Sequence, residues 1–151
     1  MIKGILFDFN KTLYDPELDA IIDDADMILQ KLKNDGYQLC LISKLSQKSY
    51  DSRAEQISQL GLDRYFIDIQ IIEGNKTEEH FQRCVRIMSL NPSEIAVVGD
   101  RIREEITLGN RLGMRTIWYK NGKFSEESPQ SHDEKPQHTI TSLKEIYKHL
   151  I

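Results

Sequence analysis

The chain has 151 residues, a length that suits a single domain with one sizeable core. It is 39% hydrophobic and 29% charged, as soluble globular proteins are, and its net charge of −4 and scattered Lys and Arg argue against nucleic-acid binding. No stretch approaches the ~18 apolar residues of a membrane span, and the N-terminus lacks the apolar region of a secretion signal. Cys40 and Cys84 lack metal-ligand spacing, which predicts reduced core residues in a cytoplasmic protein.

Short apolar runs alternate with longer amphipathic stretches, a pattern typical of a parallel sheet covered by helices. In chain order, strands are predicted at 2–9, 37–42, 65–72, 95–99 and 115–120. Helices are predicted at 17–34, 46–60, 77–88, 102–112 and 141–150, and a polar surface loop at 121–138. This order predicts one domain over residues 1–151, with a doubly wound, Rossmann-like α/β fold and helices on both faces of the sheet.

Polar residues follow three of the predicted strands. Asp8 ends the first, Ser43 follows the second and Asp100 follows the strand IAVVG. Lys76 lies in the polar run GNKT, just before a helix. Because the carboxyl ends of parallel strands lie at one edge of a sheet, we expect these side chains to meet there. Two carboxylates at one edge repel each other unless a cation is present, and oxygen ligands suit Mg²⁺, which bridges to phosphates.

Each of these residues also has an ordinary structural interpretation. An Asp at a strand end often caps the next helix, and Ser43 could serve the local hydrogen bonds of a turn. A lysine before a helix is common on any surface. It is the recurrence of polar residues at several strand ends that favours a site.

The segment GILFDFNKTL resembles the first motif of the haloacid dehalogenase (HAD) superfamily, Asp-x-Asp-x-Thr/Val, with Asn10 in place of the second Asp. Ser43 matches the residue that ends the strand of the second motif, and Lys76 matches the third motif. The sequence VVGD, ending at Asp100, matches the fourth. The resemblance extends over residues 1–120 in the motif order of the family.

A further acid four or five residues after Asp100 normally completes the metal site of this family. Glu104 and Glu105 are both candidates, and the string GDRIREEITLGNRLGMRTIW as a whole favours Glu105. Direct ligation by this longer side chain and contact through water both remain open. Arg101 and Lys44 border the expected site and are candidate substrate contacts, although solvated side chains are the more common interpretation of such residues.

The resemblance implies phosphoryl transfer, with Asp8 as the nucleophile that forms an aspartyl-phosphate for water to hydrolyse. It implies Mg²⁺ held by Asp8, the backbone carbonyl of Asn10 and Asp100, with Glu105 in support. Lys76 and Ser43 would then stabilise charge on the transferring group.

Asn10 stands where the family has an acid that protonates the leaving group and later activates water. A carboxamide does not exchange protons near neutral pH. Loss of a positioned acid–base group costs roughly 10²–10⁴-fold in rate. We therefore expect metal and phosphate binding with slow turnover, and a smaller penalty for substrates with good leaving groups.

The spacing of the motifs leaves no room for a cap domain. There are 34 residues between Asp8 and Ser43 and 32 between Ser43 and Lys76, and core elements occupy both intervals. The expected capless site, with residues 11–17 as a local flap, is open to small phosphorylated molecules and phosphoproteins, and a second subunit of a homo-oligomer could close it. Two alternatives remain: a non-catalytic module that binds phosphate or protein, and, less favoured by the motif order, a response-regulator-like receiver domain.

Overall fold

A parallel sheet forms the centre of the computed structural model, which describes residues 1–45, 47 and 49–151. In that described part the sheet has six strands: Gly4–Asp8 (β1), Gln38–Lys44 (β4), Asp68–Ile72 (β5), Ile95–Gly99 (β6), Arg115–Tyr119 (β7) and His138–Ile140 (β8). Their order is β5-β4-β1-β6-β7-β8, and all neighbours pair in parallel. The first strand is therefore central, hydrogen-bonded to β4 on one side and β6 on the other. Tyr14–Asp15 (β2) and Ala20–Ile21 (β3) form a separate antiparallel hairpin.

Helices cover both faces of the sheet, as the sequence predicted. The α-helices are Ala25–Asn34 (α1), Tyr50–Gln59 (α2), Glu78–Met88 (α3) and Thr107–Leu112 (α4), and a π-helix, Ile102–Ile106, runs directly into α4. Short 3-10 helices lie at Asp63–Tyr65, Pro92–Glu94, Gly122–Phe124, His132–Glu134 and Leu143–His149. In the described part of the chain, no helix is both long and apolar enough to cross a membrane.

Alternate side chains of β1 enter two different apolar cores. Ile5 and Phe7 pack into a cluster that also contains Leu29 of α1. Leu6 packs on the opposite face in a cluster with Phe81 of α3. This alternation follows from the two-residue period of a strand, so a strand buried on both faces is apolar throughout. Burial on both faces fixes where β1 ends and thus where Asp8 lies.

The helix predicted at 17–34 is wrong at its start, since α1 begins only at Ala25. The preceding residues form the β2–β3 hairpin, and the Asp15 carboxylate accepts a hydrogen bond from the backbone N–H of Glu17 at 2.9 Å. Asp19 and Asp24 adopt left-handed backbone angles, with φ of 49° and 70°, and both angles are incompatible with a continuous helix. The hairpin overlaps the predicted flap, residues 11–17, and we call residues 14–21 the flap hairpin.

Other boundaries differ in ways that affect the site. Strand β4 continues to Lys44, so Ser43 lies within the strand rather than after it. The helix predicted from Ser46 begins at Tyr50, behind Ser49 as its cap, and Ser46 itself lies outside the described residues.

The C-terminal part of the chain also differs from the prediction. Strand β8 begins at His138, which the sequence had placed at the end of the polar loop. The α-helix predicted at 141–150 is instead the 3-10 helix Leu143–His149, begun by a capping box at Ser142.

Candidate functional site

A cavity of about 510 Å³ opens at the carboxyl-terminal edge of the sheet. Its ionic lining consists of Asp8, Lys11, Lys44, Lys76, Asp100, Arg101, Glu104 and Glu105. The remaining lining residues are Asn10, Pro16, Leu45 and Phe124. The structure thus brings together every sequence-predicted site residue except Ser43. The cavity lies where open α/β sheets bind their ligands, outside the ends of the central strands.

Asp8 is held at both of its carboxylate oxygens. The Lys76 ammonium donates to Oδ1 at 2.6 Å, and the Thr12 hydroxyl donates to Oδ2 at 3.3 Å. Lys11, which lies between Asp8 and Thr12 in the chain, has a left-handed φ of 64°. The turn at Lys11 directs Thr12 back towards the end of β1. Thr12 belongs to the first sequence motif, yet its contact with Asp8 was not predicted. These contacts fix the orientation of Asp8 while leaving it at the cavity surface.

Lys76 lies between two carboxylates. Its ammonium is 2.6 Å from Asp8 and 2.5 Å from Glu105, and its side chain is almost completely buried. Burial lowers the pKa of Lys76, but the negative charges of Asp8 and Glu105 outweigh that effect and raise it above the ordinary lysine value. Lys76 is therefore a permanent cation at the floor of the cavity.

Asp8, Asp100 and Glu105 form an acidic cluster, in which each residue offers an oxygen atom within 4.8 Å of the others. Burial, followed by the charges of Asp8 and Glu105, raises the pKa of Asp100 to about 9. Burial also raises the pKa of Glu105 to about 7, with Lys76 opposing the shift. Such shifts arise because one lysine does not compensate three buried carboxylates.

The acidic cluster fits a hard divalent cation. The Oε2 atom of Glu105 is buried and, among the described residues, has no hydrogen-bond partner. A buried carboxylate oxygen without a partner is costly unless an ion or water binds to it. Three carboxylates that converge in this way are the ligands that Mg²⁺ prefers.

The two neighbouring glutamates point to different partners. Glu105 joins the acidic cluster, whereas Glu104 accepts a hydrogen bond from the backbone N–H of Lys76 at 3.1 Å. Both lie in the π-helix, whose wider turn is frequent at functional sites. Glu105 therefore lies with Asp8 and Asp100 while Glu104 does not, and the assignment of Glu105 to a metal site stays a prediction.

Ser43 is completely buried and does not line the cavity. Its hydroxyl accepts a hydrogen bond from the Arg53 guanidinium, which also donates to the backbone carbonyl of Lys44 at 3.3 Å. The expected donation from Ser43 to a phosphate is thus not what the structure presents. Arg53 is itself buried, and burial lowers its pKa. No sequence pattern indicated this contact of Arg53, because an arginine in a polar helix is usually solvated.

The wall of the cavity contains both Lys44 and Arg101. Lys44 donates to the side-chain carbonyl of Asn75 at 2.8 Å, and Arg101 lies over the ring of Phe124, 4.1 Å from its centre. Phe124 comes from the polar segment 121–138, where no periodic pattern marked it. The flap hairpin adds Pro16 to the lining of the cavity. These wall residues would contact the part of a ligand that does not react.

Comparisons with known proteins find similarity to HAD-like hydrolases and to proteins named as phosphatases. A family model described as HAD-hydrolase-like matches residues 74–146. The glyceraldehyde 3-phosphate phosphatase of Pyrococcus furiosus is 29% identical over 129 residues, which cover 83% of this chain and 52% of that protein. The protein of the same name from Methanocaldococcus jannaschii is 31% identical over 123 residues, covering 78% of this chain and 51% of that protein. The chain thus spans about half the length of these curated relatives.

Solved structures share the fold over nearly the whole chain. An uncharacterized protein from Listeria monocytogenes superposes with a TM-score of 0.81 and 19% identity, covering 99% of this chain and 97% of that one. A HAD phosphatase from Thermococcus onnurineus superposes with a TM-score of 0.75 and 15% identity, covering 97% of both chains. At these identities the likeness concerns the fold.

Proposed function

This chain belongs to the haloacid dehalogenase superfamily, and we propose that it is a Mg²⁺-dependent phosphatase that acts through an aspartyl-phosphate on Asp8. The observation that carries the proposal is the setting of Asp8. Its carboxylate lies at the floor of an open cavity, 2.6 Å from a buried lysine and beside two further carboxylates. A nucleophile, a fixed cation and a cluster of oxygen ligands are the parts that phosphoryl transfer requires.

Each residue of the site has a separate role in the proposed reaction. Asp8 attacks phosphorus, and Lys76, fixed between Asp8 and Glu105, places positive charge beside the transferring group. Thr12 keeps the attacking carboxylate oriented. Asp8, Asp100, Glu105 and the backbone carbonyl of Asn10 would hold Mg²⁺. When bound, the ion supplies positive charge that offsets the clustered carboxylates and the phosphate oxygens.

Asn10 makes turnover slow under this proposal, because no proton donor or base stands at that position. The same feature favours the second candidate function, a non-catalytic module that binds phosphate groups or a protein partner. The open cavity suits either a phosphorylated small molecule or a phosphoprotein as substrate, and a second subunit could cover its mouth.

The test is hydrolysis of para-nitrophenyl phosphate with and without Mg²⁺. At saturating substrate, the Asn10→Asp variant should gain roughly 10²–10⁴-fold in kcat, because it restores the base that activates water in the slow second step, and Asp8→Asn should abolish hydrolysis. Asn34→Asp and Asp51→Asn, on exposed helix surfaces, are the matched controls and should leave the rate unchanged. If neither the natural chain nor Asn10→Asp hydrolyses the substrate, the phosphatase proposal is wrong and the binding module is the better account.

A further inference from the structure

Among the described residues, every acidic side chain that lines the cavity is already engaged. Three of its four carboxylates belong to the acidic cluster, and the fourth, Glu104, accepts from the backbone of Lys76. In the described part of the chain, the cavity lining contains no histidine, cysteine or tyrosine. Residue 10, two positions after the nucleophile, is a carboxamide that does not exchange protons near neutral pH.

Cations occupy the wall of the same cavity. We call Lys11, Lys44 and Arg101 the cationic rim. Their side chains are between about a fifth and a third exposed, so they reach both the protein and the solvent-filled cavity.

Each cation of the rim is held by partners in the surrounding structure. Lys11 is 3.6 Å from Glu17. Arg101 is 3.5 Å from Glu104 and 3.5 Å from Glu127, and its other face lies over an aromatic ring. Lys44 is the least neutralised of the three, since its close partner is the uncharged Asn75 and its nearest carboxylate, on Glu104, is 4.0 Å away.

We infer that this site is built for substrates whose leaving group departs as a stable anion, and this inference rests on the phosphatase function proposed above. The class comprises aryl phosphates and acyl phosphates rather than alkyl phosphates. A phenol has a pKa of about 10 and a carboxylic acid about 4, so their anions need no proton as they leave. An alkoxide does need one. The rim supplies charge in place of the missing proton, with Lys44 as the principal group.

The bonds and charges balance without a proton donor. Asp8 forms a bond to phosphorus, the bond between phosphorus and the leaving oxygen breaks, and the electron pair stays on that oxygen as an anion stabilised by the rim. The anion then takes a proton from solvent. Water subsequently adds to phosphorus, which releases Asp8 as a carboxylate and inorganic phosphate as the product.

The experiment compares kcat/KM for acetyl, para-nitrophenyl, phenyl and ethyl phosphate, with Mg²⁺, in the natural chain and in Asn10→Asp. For the natural chain we expect kcat/KM to fall at least ~100-fold from para-nitrophenyl to ethyl phosphate, the range that a missing general acid costs. Asn10→Asp should raise the value for ethyl phosphate by roughly 10²–10⁴-fold, and that for para-nitrophenyl phosphate much less.

Several outcomes contradict the inference while leaving the phosphatase function in place. One is hydrolysis of ethyl and para-nitrophenyl phosphate by the natural chain at similar kcat/KM. Another is an equal gain for every substrate in Asn10→Asp. A third is that the natural chain hydrolyses none of the four substrates while the Asn10→Asp variant is active. Inactivity of both proteins instead overturns the proposed function itself and this inference with it.

The role of the rim has its own readout. If Lys44 stabilises the departing anion, Lys44→Gln should lower kcat/KM progressively more as the pKa of the leaving group rises, and Arg101→Gln should do the same more weakly. A role limited to binding the phosphoryl group would lower all four values by the same factor, which would overturn this assignment. Lys31→Gln and Arg86→Gln, both on exposed helix surfaces, are the matched controls.

Discussion

Gly99 leaves the space that the Glu105 side chain occupies. A β-carbon built on Gly99 would lie 2.7 Å from Cγ and 2.8 Å from Cβ of Glu105, closer than packed side chains approach each other. The last residue of β6 therefore has to be glycine for the π-helix to direct Glu105 into the acidic cluster. This contact gives a physical reason for the glycine before Asp100.

Gly99→Ala should displace Glu105 and weaken divalent metal binding. We expect metal affinity to fall roughly 10- to 100-fold, as it does when the support of a ligand is lost. Isothermal titration with Mg²⁺ measures the affinity, and thermal unfolding shows whether the fold survives. Gly99→Ala/Glu105→Gly removes the Glu105 atoms that clash with the new β-carbon, so it should be more stable than additivity of the two single variants predicts. Unchanged metal affinity in Gly99→Ala would contradict this account.

The metal-free protein should lose stability as pH rises. The folded-state pKa of Asp100 is about 9 and that of Glu105 about 7, both above the ~4 of unfolded carboxyls. Because the pKa of each acid is higher in the folded state, the native state binds more protons than the unfolded state does. The contribution of these two acids to the free energy of unfolding is therefore complete below pH ~4 and is lost as pH rises through their folded-state pKa values.

Urea unfolding across that pH range, with a chelator present, measures this effect. Mg²⁺ should reverse it, because the ion binds the deprotonated cluster. The decline should be smaller in Asp100→Asn, which keeps a side chain of similar shape but does not titrate. The opposite result would be a free energy of unfolding that rises steadily between pH ~5 and ~9 in the metal-free chain. That result would exclude Asp100 and Glu105 as the dominant titrating groups.

Lys76→Met should strongly destabilise the metal-free protein. The substitution leaves buried carboxylates without their cation, and breaking such a buried pair costs about 3–5 kcal/mol. Chemical denaturation gives the free energy of unfolding, and Mg²⁺ should recover much of the loss. Lys3→Met is the control, since it removes an exposed pair with Glu94 that is worth at most about 1 kcal/mol. A loss in Lys76→Met no larger than in the control would mean that the acidic cluster does not need Lys76.

An activated substrate should leave Asp8 phosphorylated. Asn10 cannot act as the base that activates water, so the second step is slow and the aspartyl-phosphate should accumulate as a burst. Intact-protein mass spectrometry after acid quenching of a reaction with acetyl phosphate detects the added phosphoryl group. Asn10→Asp should show little of this species at steady state, and Asp8→Asn none. Equal labelling of Asp8→Asn would place the phosphoryl group elsewhere.

The sequence predicted the buried strands and the residues at their ends well. Strands β1 and β6 are apolar throughout because both of their faces are covered, and such runs are unambiguous when a carboxylate follows them. The sequence did not predict the flap hairpin, because Leu18 and Ile21 recur at helical spacing. Leu18 is in fact three-quarters exposed, so its spacing reflected no buried face.

The rest of the site depends on contacts between distant segments, which a local pattern does not record. Arg53 reaches Ser43 only because α2 packs against β5, the neighbour of β4 in the sheet. Phe124 reaches the cavity because its 3-10 turn follows β7 at the same edge of the sheet. The burial of Ser43 was not predicted for the same reason, since the extension of β4 to Lys44 places it inside the part of the strand that pairs with β5.

The position of β1 between β4 and β6 also bears on how the protein is made. β1 leaves the ribosome well before its second neighbour, Ile95–Gly99, which is synthesised some ninety residues later. Until then the nascent chain carries an apolar strand with one unpaired edge, the kind of feature that invites association with other chains. Asp8 gains its final surroundings only after Lys76 and Asp100 have emerged, so the site is completed late in synthesis.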